Sequence, residues 1–236
     1  MNIIFVIPTY DNDGTCAVQA ARGILALGVA AEDVRVCVQR GKDLRAPELE
    51  KFAAMGVHVA PSRYTRRDRY TDLIAKLQLY ACHDGDWTIC VDSDTVINDL
   101  ARYLSAAADP NVMAASTAWA GCGFAGCSSM VRVAAARRAL RDVLEDNSQK
   151  FPASGLPDDV AIGELIGALY GEGSVVRWPS PSLGWYDFTK NWDEMAAKGA
   201  VHFGQKKLAR EHAKGKPVRD VIAEHMAEFL DWKAGR

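Results

Sequence analysis

The sequence predicts an α/β fold: one domain with a mostly parallel central sheet, mixed toward the C-terminal half, and helices on both faces. Three observations lead to this. Short apolar runs such as Ile3 to Ile7 and Val34 to Val38 alternate with longer stretches whose apolar residues recur at helical spacing. The alternation stays regular until about Ser116 and becomes mixed after the glycine-rich segment Gly121-Cys122-Gly123-Phe124-Ala125-Gly126. At 236 residues, 49% of them apolar, the chain is long enough to bury one substantial core without needing a second.

Taken in order, Ile3 to Ile7 is continuously apolar and stops at Pro8, which suits a strand buried on both faces. A polar loop, Pro8-Thr9-Tyr10-Asp11-Asn12-Asp13-Gly14, follows it. Thr15 is a candidate N-cap for a helix whose stripe is Val18, Ala21, Ile24, Leu25 and Leu27 and whose end is Gly28. A strand at Val34 to Val38, a short helix from Pro47 to Ala54 and a strand at Val57 to Ala60 come next. Tyr70, Leu73, Ile74, Leu77, Tyr80 and Ala81 line one face of a helix over 69–81, with Asp72 and Lys76 as an i,i+4 pair. The strand Trp87 to Val91 runs directly into Asp92-Ser93-Asp94, a helix is expected from Ile97 to Ala107, and a strand from Val112 to Ser116. Residues 147–157 carry two prolines, a glycine and several polar residues and read as a mobile loop, with a helix beginning near Asp158. Near the end, Pro217 opens a helix with Val218, Val221, Ile222, His225 and Phe229 on one face.

Composition excludes more than it assigns. A formal net charge of -2 supplies no global attraction to nucleic acid or anionic membrane. The six cysteines (16, 37, 82, 90, 122 and 127) lack C-x-x-C spacing, so reduced thiols are expected rather than a zinc site or redox couple. The N-terminus has no basic leader, and no apolar stretch is long enough to span a bilayer, so the expected compartment is the cytoplasm.

Asp92-Ser93-Asp94 lies where open α/β sheets place ligands, at the carboxyl end of a buried strand. Two carboxylates there can hold a hard divalent ion that neutralises charge on a departing diphosphate. The same residues also suit a helix cap. Leu156-Pro157-Asp158-Asp159-Val160-Ala161-Ile162-Gly163 supplies a second acidic pair at a helix start beside the 147–157 loop, a place for a general base as well as for simple capping. Val201-His202-Phe203-Gly204 followed by Gln205-Lys206-Lys207 offers an imidazole that could complete an ion's coordination and lysines that could touch phosphate. Trp185 and Tyr186 fit either an aromatic wall or the core.

In this order the motifs resemble GT-A (Rossmann-like) glycosyltransferases, most closely the inverting fringe-like β3-glycosyltransferases. The resemblance divides a single domain, 1–236, into a nucleotide-sugar-binding half (1–116), an acceptor and catalytic half (117–205) and a C-terminal helical tail (206–236). It implies Mn2+ or Mg2+ held by Asp92, Asp94 and His202, and Asp159 as the inverting base. It also implies a donor site from Pro8, Thr9, Tyr10, Asp11, Lys76, Asp92, Ser93 and Lys207. Gly123, Phe124, Ala125, Asp158 and Trp185 would line the acceptor or donor-sugar pocket. The implied donor is a nucleotide-diphosphate sugar, UDP-linked by analogy.

A nucleotidyltransferase of similar fold and a non-catalytic nucleotide-sugar-binding module are the alternatives. The first is disfavoured because Pro8-Thr9-Tyr10-Asp11 stands where a glycine-rich phosphate loop would be needed. The expected acceptor is a saccharide or a hydroxylated base in DNA. Two basic runs carry the DNA reading: Arg63, Arg66, Arg67 and Arg69, and the tail cations Lys206, Lys207, Arg210, Lys214, Lys216 and Arg219.

Overall fold

The computed structural model describes residues 1–9, 13–38, 44–61, 69–118, 127–145, 158–179 and 182–236, with the backbone alone at 69–71 and 158–159. Its main sheet has seven strands in the order β3 (His58–Pro61), β2 (Val34–Val38), β1 (Ile3–Thr9), β4 (Trp87–Val91), β7 (Ser128–Arg132), β6 (Ala114–Thr117) and β8 (Val175–Trp178). β7 runs antiparallel to both of its neighbours, and the other pairings are parallel. A second sheet of three short strands orders β5 (Thr95–Ile97), β10 (Ala200–His202) and β9 (Leu183–Trp185).

The central strands are apolar throughout because both faces are covered. Along β1, Phe5 and Ile7 join one core while Ile4 and Val6 join the other. The first core receives α1 (Gly14–Leu25), α2 (Ala46–Ala54), α4 (Ala101–Ala108) and the C-terminal α9 (Val218–Ala234), with the short α7 (Trp192–Ala196) and α8 (Lys206–His212). The second receives α3 (Arg69–Ala81), α5 (Val133–Glu145) and α6 (Asp158–Tyr170). Among the described residues no helix is long and apolar enough to cross a membrane. The five described cysteines are free.

Several expectations move. β1 runs on through Pro8 to Thr9, so these residues pair with Cys37 and Val38 instead of forming a loop. A proline is tolerated in this central strand because β4 pairs only with Ile3 to Val6, leaving no partner for the missing N–H. α1 begins at Gly14, and Thr15 sits inside it with its hydroxyl donating to Asp220 Oδ1 at 3.4 Å, so Thr15 is not a cap. Ile97 belongs to β5, where Ala200 pairs with it, and the helix starts four residues later, at Ala101. β7 and α5 were not anticipated. Ser128-Ser129 begins β7 with small polar side chains, yet both are buried between β4 and β6.

Candidate functional site

β4 delivers its last buried residue, Val91, to the sheet edge, and the chain then turns sharply. The N–H of Asp92 donates to the Cys127 carbonyl at 3.0 Å, and the N–H of Thr95 donates to the Asp92 carbonyl at 2.9 Å. This tight turn swings β5 against β10. The N–H of Phe203 donates to the Asp94 carbonyl at 2.7 Å, which brings the end of β10 to the second carboxylate. His202 Nε2 consequently lies 3.3 Å from Asp94 Oδ1. One ligand atom from each of Asp92, Asp94 and His202 falls within 4.8 Å of the others. Gly204 permits the approach: a Cβ there would stand 2.5 Å from Asp94 Oδ2 and 2.5 Å from His202 Cε1.

Cations brace this acidic centre from two sides. Lys76 is buried, and its Nζ lies 3.4 Å from Asp92 Oδ1, a role beyond the expected local pair with Asp72. Arg219, in the first turn of α9, reaches Asp94 Oδ2 with Nη1 at 2.7 Å and Asp13 Oδ1 with Nε at 2.6 Å. Burial opposes the charge on Asp94, but His202 and Arg219 outweigh it and hold the carboxyl well below the usual range. Burial likewise opposes protonation of His202, and Asp94 then Asp92 overcome it and raise its pKa. At Asp13 burial wins, and that carboxyl is pushed up despite Arg219.

The donor set fits a divalent ion. Two carboxylates and an imidazole converge, the shell is mixed oxygen and nitrogen, and the buried Nδ1 of His202 has no hydrogen-bond partner. Mn2+ or Mg2+ suits such ligands. Arg219 engages Asp94 through Oδ2, so Oδ1 is the oxygen on the side of His202.

The other expected residues divide. Trp185 packs edge-on against His202, with ring centroids 4.8 Å apart, and so borders the cluster, whereas Tyr186 is fully buried and hydrogen-bonded to His225 Nδ1 at 2.9 Å. Thr9 is buried, with its hydroxyl donating to the Cys37 carbonyl, and Ser93 is buried, with its hydroxyl 3.4 Å from Asp13 Oδ2; both hydroxyls are engaged inside the protein. Lys207 is exposed on the first turn of α8. Asp158 and Asp159 open α6, as expected for their backbone. Tyr10, Asp11, Gly123, Phe124, Ala125 and the 147–157 loop lie outside the described residues, as do Arg63, Arg66 and Arg67.

Asp13 and Arg219 were not expected in the site. The only signals were an aspartate in the polar segment after β1 and an arginine just after Pro217, which the tail's positive charge disguised as a phosphate contact.

No protein-family model matches the chain, and no curated protein matches it. Solved structures do. A galactosyltransferase, LgtC, in complex with donor and acceptor sugar analogs superposes with a TM-score of 0.58 at 14% identity, over 95% of this chain and 94% of that one. A glycosyltransferase involved in glycosylation of the major capsid of PBCV-1 superposes with a TM-score of 0.55 at 11% identity, over 97% and 100%. A mannosyltransferase from Pyrobaculum calidifontis, in complex with GDP-Man and Mn2+, gives 0.53 at 16% identity. There the match covers 75% of this chain and spans only 55% of the other. The fold is that of a GT-A domain.

Proposed function

We propose that the protein is a metal-dependent glycosyltransferase that moves a sugar from a nucleotide-diphosphate sugar to an acceptor hydroxyl. The observation that carries this is the convergence of Asp92, Asp94 and His202 at the carboxyl end of β4 in a GT-A fold. A solved mannosyltransferase of similar fold holds GDP-Man with Mn2+, which supports the same class of ligand here. The metal, when bound, supplies charge neutralisation for the departing diphosphate.

The chain's own residues do the rest. Asp92, Asp94 and His202 would hold the ion, Lys76 and Arg219 fix the two carboxylates, and Trp185 packs against His202. Asp159, at the start of α6, is the base in this reading. It takes the proton of the acceptor hydroxyl as that oxygen attacks the anomeric carbon and the bond to the diphosphate breaks, inverting the centre. UDP is the favoured nucleotide, by resemblance. Lys207 and the segment from Pro8 to Asp11 belong to the donor side.

A saccharide or another small acceptor is favoured over DNA, because two of the six tail cations are already committed. Arg219 is turned inward to Asp13 and Asp94, and Lys216 is paired with Glu224 at 2.7 Å. Calorimetric titration with UDP, GDP, CDP and dTDP, each with Mn2+ and with chelator, tests the reading. Metal-dependent binding of one nucleotide is expected, and absence of binding by all four would overturn it.

A further inference from the structure

A second charged centre lies beside the first and takes no part in it. Arg102, in the first turn of α4, is half-buried, and among the described residues no carboxylate lies within ion-pairing distance of it. Its guanidinium is instead ringed by hydroxyls from separate elements. Nη1 is 3.1 Å from Ser182 Oγ and 3.4 Å from Thr117 Oγ1, and Nη2 is 2.8 Å from Tyr103 Oη and 3.5 Å from Ser128 Oγ. The rings of Tyr103 and Trp178 flank it, with Cζ 4.8 and 4.7 Å from their centroids. Gly199 makes room, since a Cβ there would stand 2.8 Å from Nη1.

The two cations braced against the acidic centre, Lys76 and Arg219, have carboxylate partners. A partly desolvated charge without one is costly, and two aromatic faces compensate it only in part. Arg102 Nε is buried with no hydrogen-bond partner at all. The surrounding hydroxyls accept from the guanidinium, and only some of their own protons find an acceptor. Tyr103 spends its proton on the Ser128 carbonyl at 3.2 Å, and Thr117 and Ser182, 3.5 Å apart, share one hydrogen bond; among the described residues no carbonyl or carboxylate accepts from Ser128 or from the second hydroxyl of that pair. A positive charge among hydroxyl donors, with acceptors missing, is complementary to an oxyanion.

We infer that Arg102, Ser182, Thr117 and Ser128 form an anion subsite for a phosphate or carboxylate group. Its place in the fold says whose group that is. Ser182 directly precedes β9, and Trp185 at the other end of β9 pairs with His202. Ser182 stands three strand steps of about 3.3 Å, roughly 10 Å, from Trp185 along β9, while Ser128 pairs with Val91, the residue before Asp92, so the subsite extends outward from the edge of the metal cluster. In this reading the anion belongs to the acceptor, an acidic or phosphorylated molecule whose hydroxyl reaches the metal cluster while its charged group rests on Arg102. The assignment to the acceptor rests on the proposed glycosyl transfer, but anion binding itself does not.

The experiment is titration of inorganic phosphate, and separately of acetate, into metal-free protein without nucleotide, read by the NMR signals of the arginine side-chain Nε–H groups. Saturable movement of the Arg102 signal is expected, and the anion of higher affinity distinguishes a phosphate from a carboxylate ligand. Arg102→Gln should weaken binding about tenfold or more, and Ser182→Ala, which leaves the guanidinium in place, severalfold. No saturable shift in the wild-type protein, or unchanged anion binding in Arg102→Gln with its melting temperature retained, would overturn the subsite. Failure of nucleotide and Mn2+ to bind while phosphate still shifts Arg102 would sink the glycosyltransferase reading and leave the subsite standing.

Discussion

Arg219 and Arg102 are both guanidinium groups set partly inside the protein near the same sheet edge, and they are neutralised in opposite ways. Arg219 lies between two buried carboxylates, at 2.6 and 2.7 Å, and its charge is satisfied within the chain. Arg102 lies among hydroxyls and aromatic faces, and its charge is left for something outside the chain. A cation completed by its own protein holds a site together; a cation left incomplete is available to a ligand.

The largest expected effect comes from breaking the complete member. Arg219→Met strips the guanidinium from buried Asp13 and leaves Asp94 with His202 alone, and should cost about 3–5 kcal/mol in denaturant unfolding, with a lower melting temperature. Asp94→Asn should cost less, about 1–3 kcal/mol, because Arg219 keeps Asp13, while abolishing Mn2+-dependent nucleotide binding in calorimetry. If Asp94→Asn binds Mn2+ and nucleotide like the wild type, the metal assignment is wrong.

Gly204→Ala sharpens the contrast from another side. Its Cβ would press on Asp94 and His202, so metal affinity should fall by about tenfold or more, with a stability loss of about 1–2 kcal/mol. Arg102→Met is the counterpart of Arg219→Met and strands no carboxylate. Its stability should change by about 1 kcal/mol or less in either direction. A loss as large as that of Arg219→Met would show that Arg102 is a structural plug. The smallest stability effect is expected from Asp159→Asn, which should unfold like the wild type and bind donor normally while transferring no sugar. Retained transfer in that variant removes Asp159 as the base.

The early part of the fold was legible because strands buried on both faces are continuously apolar. Ile3 to Ile7, Val34 to Val38 and Trp87 to Val91 need no alternation, and their flanking helices carry clear stripes. The later part was less so. β5, β9 and β10 are three residues each, too short for any period to register, and β7 opens with two serines that become buried only because β4 and β6 enclose them. Within the site, Asp92 and Asp94 were visible because they sit one residue apart just past a strand end, and His202 because Val201-His202-Phe203-Gly204 places it before a glycine.

By itself, the sequence determined the two-sided core, the parallel run of the first strands and the position of the acidic pair at the carboxyl end of a strand, since each follows from local apolar pattern and chain direction. The tertiary structure alone decided which charges meet. Arg219 and Asp94 are 125 positions apart, and nothing local distinguishes Arg219 from the solvated lysines of its tail. Its role appears only when α9 packs on α1 and carries the guanidinium to the carboxylates. Three of the four hydroxyls around Arg102, those of Thr117, Ser128 and Ser182, come from other elements in the same way. Electrostatic partnership depends on distance in space, which hydrophobic burial sets without reference to distance along the chain.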